Sequence, residues 1–363
     1  MRVFAHDDGD HRLVPIDPAA PIHMPPPLDS FEIVLHEGYQ DARIDTDWWA
    51  HLSTLVSTEE LEEFDEEWPS SHEFISDMMV VRVEDVLRKY TSEIARAKLL
   101  AHPHIRLVLN DEGVQGELRI RSLTPIGARI GGEIITENIP ESAKTTRVLV
   151  RESGRAIACD PSKAYFSTKL QSERLETLSL AKELREILQR PINVCDPFCG
   201  VGPALATLLG EPDLVGKALA SDLNPDAVRL LLDNLRRWDR RDYPVEPSPI
   251  SRVFEDRIVG IANATELCDD RNLSGCWDMV LVNLPHRTIE LLPSLLPLID
   301  RNSPSMIRGR VVVLESEIKY ANERINSLIP EVLQGFPAPA LRIKRDYSSS
   351  LRLCSFEAWL PPV

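Results

Sequence analysis

The stretch Asn193-Val194-Cys195-Asp196-Pro197-Phe198-Cys199-Gly200-Val201-Gly202-Pro203 runs from a short apolar strand into an acidic residue, a Gly-x-Gly turn and a proline. Two glycines at such a turn let the backbone adopt positive φ and pass close to a ligand. Pro203 suits the first position of a helix, where its missing N–H costs nothing. A strand, a glycine turn and a helix in this order indicate an α/β fold with a site for a nucleoside cofactor.

A second acidic strand end indicates which cofactor is bound. The apolar run 218–221 leads into Asp222, twenty residues past Gly202, where a carboxylate can accept hydrogen bonds from both ribose hydroxyls. The dinucleotide fingerprint needs a third glycine three residues after Gly202, and this chain has Leu205 there. Carboxylates such as Asp196 attract the cationic groups of S-adenosylmethionine (AdoMet) and would repel a pyrophosphate. The pattern therefore favours AdoMet over NAD.

A third apolar run ends in an amide, in the order Trp277-Asp278-Met279-Val280-Leu281-Val282-Asn283-Leu284-Pro285. An Asn at the carboxyl end of a parallel strand points into the crevice where ligands bind. Asn-x-Pro can also be a simple turn that ends a strand. After two cofactor strands in the right order, it is typical of the platform on which methyltransferases hold a planar nitrogenous base.

The segment Cys-Asp-Pro-Ser-Lys-Ala-Tyr-Phe-Ser-Thr-Lys-Leu-Gln-Ser-Glu-Arg, residues 159–174, makes the pattern specific. With it, the chain resembles the archaeal and eukaryotic tRNA (guanine-37 N1)-methyltransferases, which have Asp, then Lys-Val-Tyr-Phe-Ser-Pro-Arg-Leu, then Glu-Arg. The resemblance covers about residues 55–363 and includes the three strand ends above, Gly116–Arg121 and Ile130–Glu133. The chain departs from the family at Thr168-Lys169, where the family has Pro-Arg, and at Cys199, where it has Ala.

The resemblance implies the fold and the reaction. The expected fold class is α/β, with a Rossmann-like class I AdoMet-dependent methyltransferase domain at 159–363 and a smaller α+β domain at 55–158. Residues 1–54 are expected to form a proline-rich N-terminal segment of undefined role. The implied reaction transfers a methyl group from AdoMet to N1 of guanosine 37 in the anticodon loop of tRNA.

The resemblance also assigns roles to single residues. Glu173 matches the family's general base, Arg119 matches the arginine that donates to the guanine oxygen, and Asn283 would hold the edge of the base. The expected cofactor-binding residues are Tyr165, Phe166, Asp196, Gly200, Gly202, Asp222, Leu223, Asn263, Asn283 and Pro285. Each has a purely structural alternative: Glu173 could pair with Arg174 or Lys169, and the two aromatic residues could be core side chains.

Two other functions remain open. The aminocarboxypropyl transferases of wyosine synthesis use the same cofactor and the same tRNA position, although their ribose acid is usually Glu rather than Asp222. The chain could also be a catalytically silent RNA-binding protein that keeps an AdoMet fold. Detection of methylated tRNA would exclude the silent alternative.

Composition agrees with an intracellular protein of two or three domains. The chain has 363 residues and a net charge of −16, which argues against a nucleic-acid partner unless cations gather locally, as in 236–241 and 342–345. Its six cysteines include no Cys-x-x-Cys pair, so we expect reduced thiols and no metal. No apolar run approaches eighteen residues and the first residues lack a signal-peptide core. We expect a cytoplasmic monomer.

Hydrophobic patterning predicts the two parts of the fold. From Tyr165 onward, helices and strands alternate, which indicates a doubly wound parallel sheet closed by an antiparallel hairpin at 340–359. Before it, we expect a strand at 78–83, a helix at 86–100 and a hairpin whose turn is Asp111-Glu112-Gly113.

Overall fold

The computed structural model describes residues 4–5, 12–14, 16, 25–26, 28–34, 47–116, 118 and 120–363. The chain divides into two compact units, Met1–Ile44 and Asp45–Val363. In the first, β1 (Phe4–Ala5) pairs antiparallel with β2 (Arg12–Leu13), and a 3-10 turn spans Leu28–Ser30. Most of the proline-rich segment expected at 1–54 lies outside the described residues.

The second unit begins with three helices and a five-stranded sheet ordered β3-β4-β5-β6-β7. The helices are α1 (Trp48–Leu52), α2 (Thr58–Glu63) and α3 (Thr91–Ala101), the last preceded by a 3-10 turn. The strands are β3 (Glu73–Ile75), β4 (Met78–Val81), β5 (Leu107–Gln115), β6 (Ile120–Ile130) and β7 (Glu133–Ile135). One face of the sheet packs against α1 and α3 through residues such as Met79, Val108 and Ile94.

The predicted turn at residues 111–113 is wrong. Strand β5 continues through it to Gln115, and β6 begins at Ile120. The Asp-Glu-Gly stretch is a bulge, because the register shifts between Asp111 and Val114. Asp111 stabilises the bulge by accepting the Gly113 N–H at 3.0 Å and by pairing with Arg121 at 2.7 Å.

A two-stranded hairpin, β8 (Val148–Glu152) and β9 (Arg155–Cys159), connects the two sheets of this unit. Buried Asn234 accepts the Ala158 N–H at 2.7 Å and donates to the Ala158 and Val201 carbonyls. Buried Arg174 donates to both oxygens of Glu152, at 2.5 and 2.7 Å. The hairpin is therefore tied by buried hydrogen bonds to the helices of the larger sheet.

The larger sheet has eight strands in the order β12-β13-β11-β10-β14-β15-β17-β16. They are β10 (Ile192–Asp196), β11 (Val215–Asp222), β12 (Ser251–Phe254), β13 (Arg257–Ile261), β14 (Met279–Val282), β15 (Ser305–Leu314), β16 (Arg342–Asp346) and β17 (Leu351–Leu360). The helices are α4 (Gln171–Leu188), α5 (Pro203–Leu208), α6 (Pro225–Asp239), α7 (Thr288–Leu295) and α8 (Ile318–Leu328).

The predicted fold class is confirmed. Strands β13, β11, β10, β14 and β15 are parallel, and β17 runs antiparallel to both of its neighbours. Helices α4, α5 and α6 pack on one face, and α7 and α8 on the other. Burial on both faces explains the uninterrupted apolar runs of the strands. Ligands bind such sheets at the carboxyl ends of the strands.

In the described parts of the chain, no helix combines the length and the apolar character needed to cross a membrane.

Candidate active site

The glycine turn after β10 has the backbone geometry that the sequence predicts. Gly200 has φ +55° and Gly202 has φ +84°, both in the left-handed region that favours glycine. A Cβ on Gly202 would lie 2.6 Å from Leu231 Cδ1, so glycine is also needed for close packing against α6. Pro203 is the first residue of α5. The turn therefore keeps backbone, rather than side chains, at the edge of the crevice.

Asp222 ends β11 beside this turn. Its Oδ2 accepts the Gly200 N–H at 2.8 Å and its Oδ1 accepts the Asn224 N–H at 2.9 Å. These bonds fix the orientation of the carboxylate while each oxygen keeps a further lone pair for a ligand hydroxyl. Burial raises the pKa of Asp222, although backbone N–H groups act in the opposite direction.

Asp196 ends β10 and is buried, with only 2% of its surface exposed. Its Oδ1 has no hydrogen-bond partner in the described part of the chain. Burial, and secondarily the neighbouring charge of Asp222, raises the pKa of Asp196 to about 7, against the lowering effects of the Phe198 N–H and of Arg310. An orphaned buried carboxylate at a strand end is a favourable place for a cationic ligand.

Asn283 follows the last residue of β14. Its Oδ1 accepts a hydrogen bond from Arg310 Nη1 at 2.8 Å. Two residues further on, the Pro285 carbonyl accepts the Val312 N–H at 2.9 Å, which holds the Asn-Leu-Pro segment against β15. The predicted platform is thus a strand end that side-chain and backbone bonds fix to the neighbouring strand.

Glu173 lies in the first turn of α4 and is 5% exposed. Because α4 leads into the start of β10, its first turn lies at the carboxyl edge of the strands. Three cations surround the carboxylate: Arg308 Nη2 at 3.4 Å, Lys344 Nζ at 3.7 Å and Arg310 Nε at 3.9 Å. The expected alternative partners, Arg174 and Lys169, are not among the ion pairs of Glu173 in the described residues, and Arg174 binds Glu152 instead.

Sequence reasoning missed Arg308 and Arg310. Both lie on β15, which begins at Ser305, ahead of the uninterrupted apolar run at 311–314. The two side chains alternate with Gly309 and face α4, where Arg308 also pairs with Glu176 at 2.9 Å. Burial lowers the pKa of Arg310 to about 10, so its guanidinium is still charged at neutral pH. The alternating Arg-Gly-Arg before three valines was the available signal for a longer strand.

The other predicted site residues are found in different environments. Tyr165 and Leu223 are 48% and 44% exposed, whereas the Phe166 ring is buried at 1%. Asn263 accepts the Thr265 N–H at 3.2 Å and so begins a 3-10 turn after β13. Arg119 lies outside the described residues. The cofactor roles of Tyr165, Phe166, Leu223 and Asn263 stay predictions.

The chain is similar in sequence to one known domain family and to several known proteins. A family profile described as the TYW2 N-terminal domain matches residues 52–127. The tRNA (guanine(37)-N(1))-methyltransferase Trm5b of Pyrococcus abyssi is 28% identical over 267 residues, which are 73% of this chain and 66% of that protein. The tRNA (guanine(37)-N(1))-methyltransferase of Trichomonas vaginalis is 26% identical over 62% of this chain and 50% of its own length.

A solved complex of aTrm5 and tRNALeu superposes with a TM-score of 0.62 at 19% identity, covering 85% of this chain and 78% of that one. The resemblance to the tRNA (guanine-37 N1)-methyltransferases is confirmed. At 19% identity, the superposition shows a shared fold. The chain spans one half to about two thirds of the length of the methyltransferase relatives that it matches.

Proposed function

We propose that this protein transfers a methyl group from AdoMet to N1 of guanosine 37 of tRNA. One observation carries the proposal: the buried guanidinium of Arg310 lies between Asn283 and Glu173, the two groups expected at the base, at the strand edge that also holds the glycine turn. The names of the sequence relatives support the same reaction.

The residues at the glycine turn fit AdoMet. The orphaned oxygen of Asp196 offers a buried acceptor to a cationic group, and Asp222 offers oriented lone pairs to ribose hydroxyls. Gly200 and Gly202 let the backbone approach the ligand without a Cβ. The proposed cofactor set is completed by Tyr165, Phe166, Leu223, Asn263, Asn283 and Pro285. AdoMet supplies the methyl group when bound.

The proposed base pocket solves a specific chemical problem, because guanine N1 carries a proton at neutral pH. Its lone pair becomes available only as that proton leaves. Glu173 takes the proton as general base, a role typically worth about 10² to 10⁴-fold in rate. Asn283 holds the edge of the base, while Tyr165 and Pro285 frame it. Arg119 is proposed to donate to O6 as negative charge develops there.

The proposal extends to partner and compartment. The substrate is the anticodon loop of tRNA, bound by the 159–363 domain together with the small 55–158 domain. The protein acts as a cytoplasmic monomer. The similarity to a fold solved with tRNALeu supports tRNA as the partner.

A second candidate is aminocarboxypropyl transfer to the same tRNA position from the same cofactor. This candidate is supported by the family profile that matches residues 52–127, because that profile is named for TYW2 and not for a guanine-37 methyltransferase. Asp222 in place of the Glu usual in those transferases favours methyl transfer.

The experiment is incubation of the full chain with AdoMet and a tRNA transcript carrying G37, followed by mass spectrometry of the digested nucleosides. We expect 1-methylguanosine in the G37 transcript and none when G37 is replaced by another nucleotide. An aminocarboxypropyl adduct would establish the second candidate. Binding of both AdoMet and the transcript without any modified nucleoside would favour the silent RNA-binding protein.

A further inference from the structure

The hydrogen bond from Arg310 fixes the orientation of the Asn283 side-chain amide. Arg310 Nη1 lies 2.8 Å from Asn283 Oδ1, and a guanidinium can only donate hydrogen bonds. The amide oxygen must therefore face Arg310, and the NH2 group must point away from it. No group in the described part of the chain accepts a hydrogen bond from that NH2. Asn283 is half-buried and directly follows β14, at the carboxyl edge where ligands bind such sheets, so this NH2 group is available to a ligand there.

Arg310 is well placed to impose this orientation. Val282, the last residue of β14, is in register with Gly309 of β15. The residues that follow these two, Asn283 and Arg310, therefore lie side by side. Only 8% of the Arg310 surface is exposed, and its Nε lies 3.9 Å from Glu173 Oε2. Burial and this ion pair hold the guanidinium in place.

The fixed orientation has a chemical consequence. A side chain that offers only N–H groups to the ligand binds an acceptor, such as a ring carbonyl, and leaves an exocyclic amino group without a partner. If the amide could rotate, it would accept from an amino group equally well. Arg310 removes that choice.

We propose that Arg310 is a positioning residue, which turns the Asn283 amide so that it presents a hydrogen-bond donor to a carbonyl on the edge of the target base. This inference rests on the proposed function and deepens it, because it states how the site selects a keto base. Arg310 acts through Asn283 and does not itself touch the substrate.

A double-mutant cycle tests the inference. The single-turnover rate of methyl transfer to a G37 transcript is measured for the full chain carrying Arg310→Met, Asn283→Ala or both. We expect Arg310→Met to slow the reaction about 10-fold or more, the loss typical of a misplaced hydrogen bond, and to leave the AdoMet dissociation constant within about twofold. In the Asn283→Ala background, Arg310→Met should cost several-fold less than it does in the wild type, and the loss that remains reflects the missing contact with Glu173. Equal losses in both backgrounds would overturn the inference.

A second variant leaves Arg310 in place. Asn283→Asp still accepts from Arg310 but offers a carboxylate oxygen, not a donor, to the crevice. We expect it to be at least as slow as Asn283→Ala on G37. A rate near that of the wild type would show that the side chain acts as an acceptor and would refute the orientation. If Arg310→Met does not fold, Arg310→Gln replaces it in the cycle, because a glutamine amide can donate or accept and so no longer fixes the orientation of Asn283.

The experiments distinguish an error in the proposed function from an error in the role of Arg310. A wild-type chain that transfers nothing to G37 refutes the proposed function and this inference with it. An active wild type with additive Arg310 and Asn283 losses refutes the inference alone.

Discussion

At the scale of single residues, the environment of Glu173 is the most informative. A buried carboxylate is costly unless cations and hydrogen bonds compensate it. Arg308, Arg310 and Lys344 provide that compensation from two strands, while the carboxylate stays beside Asn283 through Arg310. The proposed base is therefore held in one place, as a group that must meet a single ring nitrogen requires.

Replacing Glu173 tests its role as the base. Glu173→Gln keeps the shape but cannot take a proton, so we expect the single-turnover methylation rate to fall about 100-fold or more with nearly unchanged AdoMet affinity. Glu176→Gln is the matched control, since Glu176 binds the same Arg308 and Lys344 one turn further along α4. Equal losses in both variants would mean that disruption of the ion-pair cluster, not loss of a base, slows the reaction.

The raised pKa of Asp196 predicts how AdoMet binding depends on pH. With a pKa of about 7, Asp196 is mostly protonated at pH 6 and mostly ionised at pH 8, and a cation prefers the ionised form. We expect AdoMet to bind about tenfold more tightly at pH 8 than at pH 6 by calorimetry. Asp196→Asn should bind AdoMet more weakly and lose this pH dependence. Loss of the dependence in the variant would show that Asp196, and not the amino group of AdoMet, is the titrating group.

Stability should change with pH in the opposite sense. Because the pKa of Asp196 is higher in the folded chain than in the unfolded one, the folded state binds the proton more tightly. That stabilisation is complete below about pH 4 and is lost as the pH rises through about 7. Without AdoMet, Asp196→Asn should therefore melt at a higher temperature than the wild type at pH 8. A lower melting temperature would show that Asp196 is not an uncompensated buried charge.

At the scale of elements, the turn between β10 and α5 combines a cofactor loop with a packing contact. Gly202 needs a left-handed backbone and also has Leu231 and Trp238 of α6 where a Cβ would lie. The same residue therefore positions the helix and keeps the loop open.

Substitution of that glycine should be more costly than substitution of a glycine in open space. Gly202→Ala is expected to destabilise the protein by about 2–4 kcal/mol, from the left-handed backbone plus the steric contact, and to weaken AdoMet binding. Gly275→Ala, with φ +67° and nothing within 4 Å of its Cβ, should cost only the backbone term of about 1–2 kcal/mol. Chemical denaturation measures both. Equal losses of stability in the two variants would show that α6 moves to make room for the alanine side chain at position 202.

At the scale of the whole molecule, the net charge of −16 must be reconciled with the proposed polyanionic partner, tRNA. Many cations of the two predicted clusters are engaged internally. Arg237 pairs with Asp233, Arg342 with Glu357, and Lys344 with Glu176. Arg345, by contrast, has a buried Nε without a hydrogen-bond partner among the described residues. We therefore propose Arg345 of β16, rather than the whole 342–345 cluster, as a cation that contacts tRNA.

The dependence of tRNA binding on salt concentration tests whether Arg345 contacts a phosphate. We expect the affinity for tRNA to fall with added salt, with a slope of about −0.7 per phosphate contacted in unpaired regions. Arg345→Ala should weaken tRNA binding and reduce the slope by a comparable step without changing the AdoMet dissociation constant. Lys217→Ala is the control, because Lys217 is exposed near the amino end of β11, away from the crevice. Filter binding gives both slopes, and a wild-type slope near zero would argue against tRNA.

Much of this protein could be predicted from local sequence. Apolar runs and turn residues correctly indicate the strand, glycine turn and helix at 192–208. They also indicate the acid at the end of β11 and the amide that follows β14. The periodicity of buried strands and the conformational needs of glycine act over a few residues, so they can be recognised in the chain itself. The hairpin turn predicted at 111–113 is instead a bulge, because turns and bulges favour the same residues.

Only the tertiary structure decided what surrounds Glu173. Arg308 reaches it from 135 positions away, and Lys344 and Arg310 come from two different strands. Such an ion pair leaves no local pattern, because each partner alone resembles an ordinary charged residue on a strand or helix. The register of β15 against β14 places Arg310 beside Asn283, and register follows from the packing of the whole sheet rather than from either strand alone.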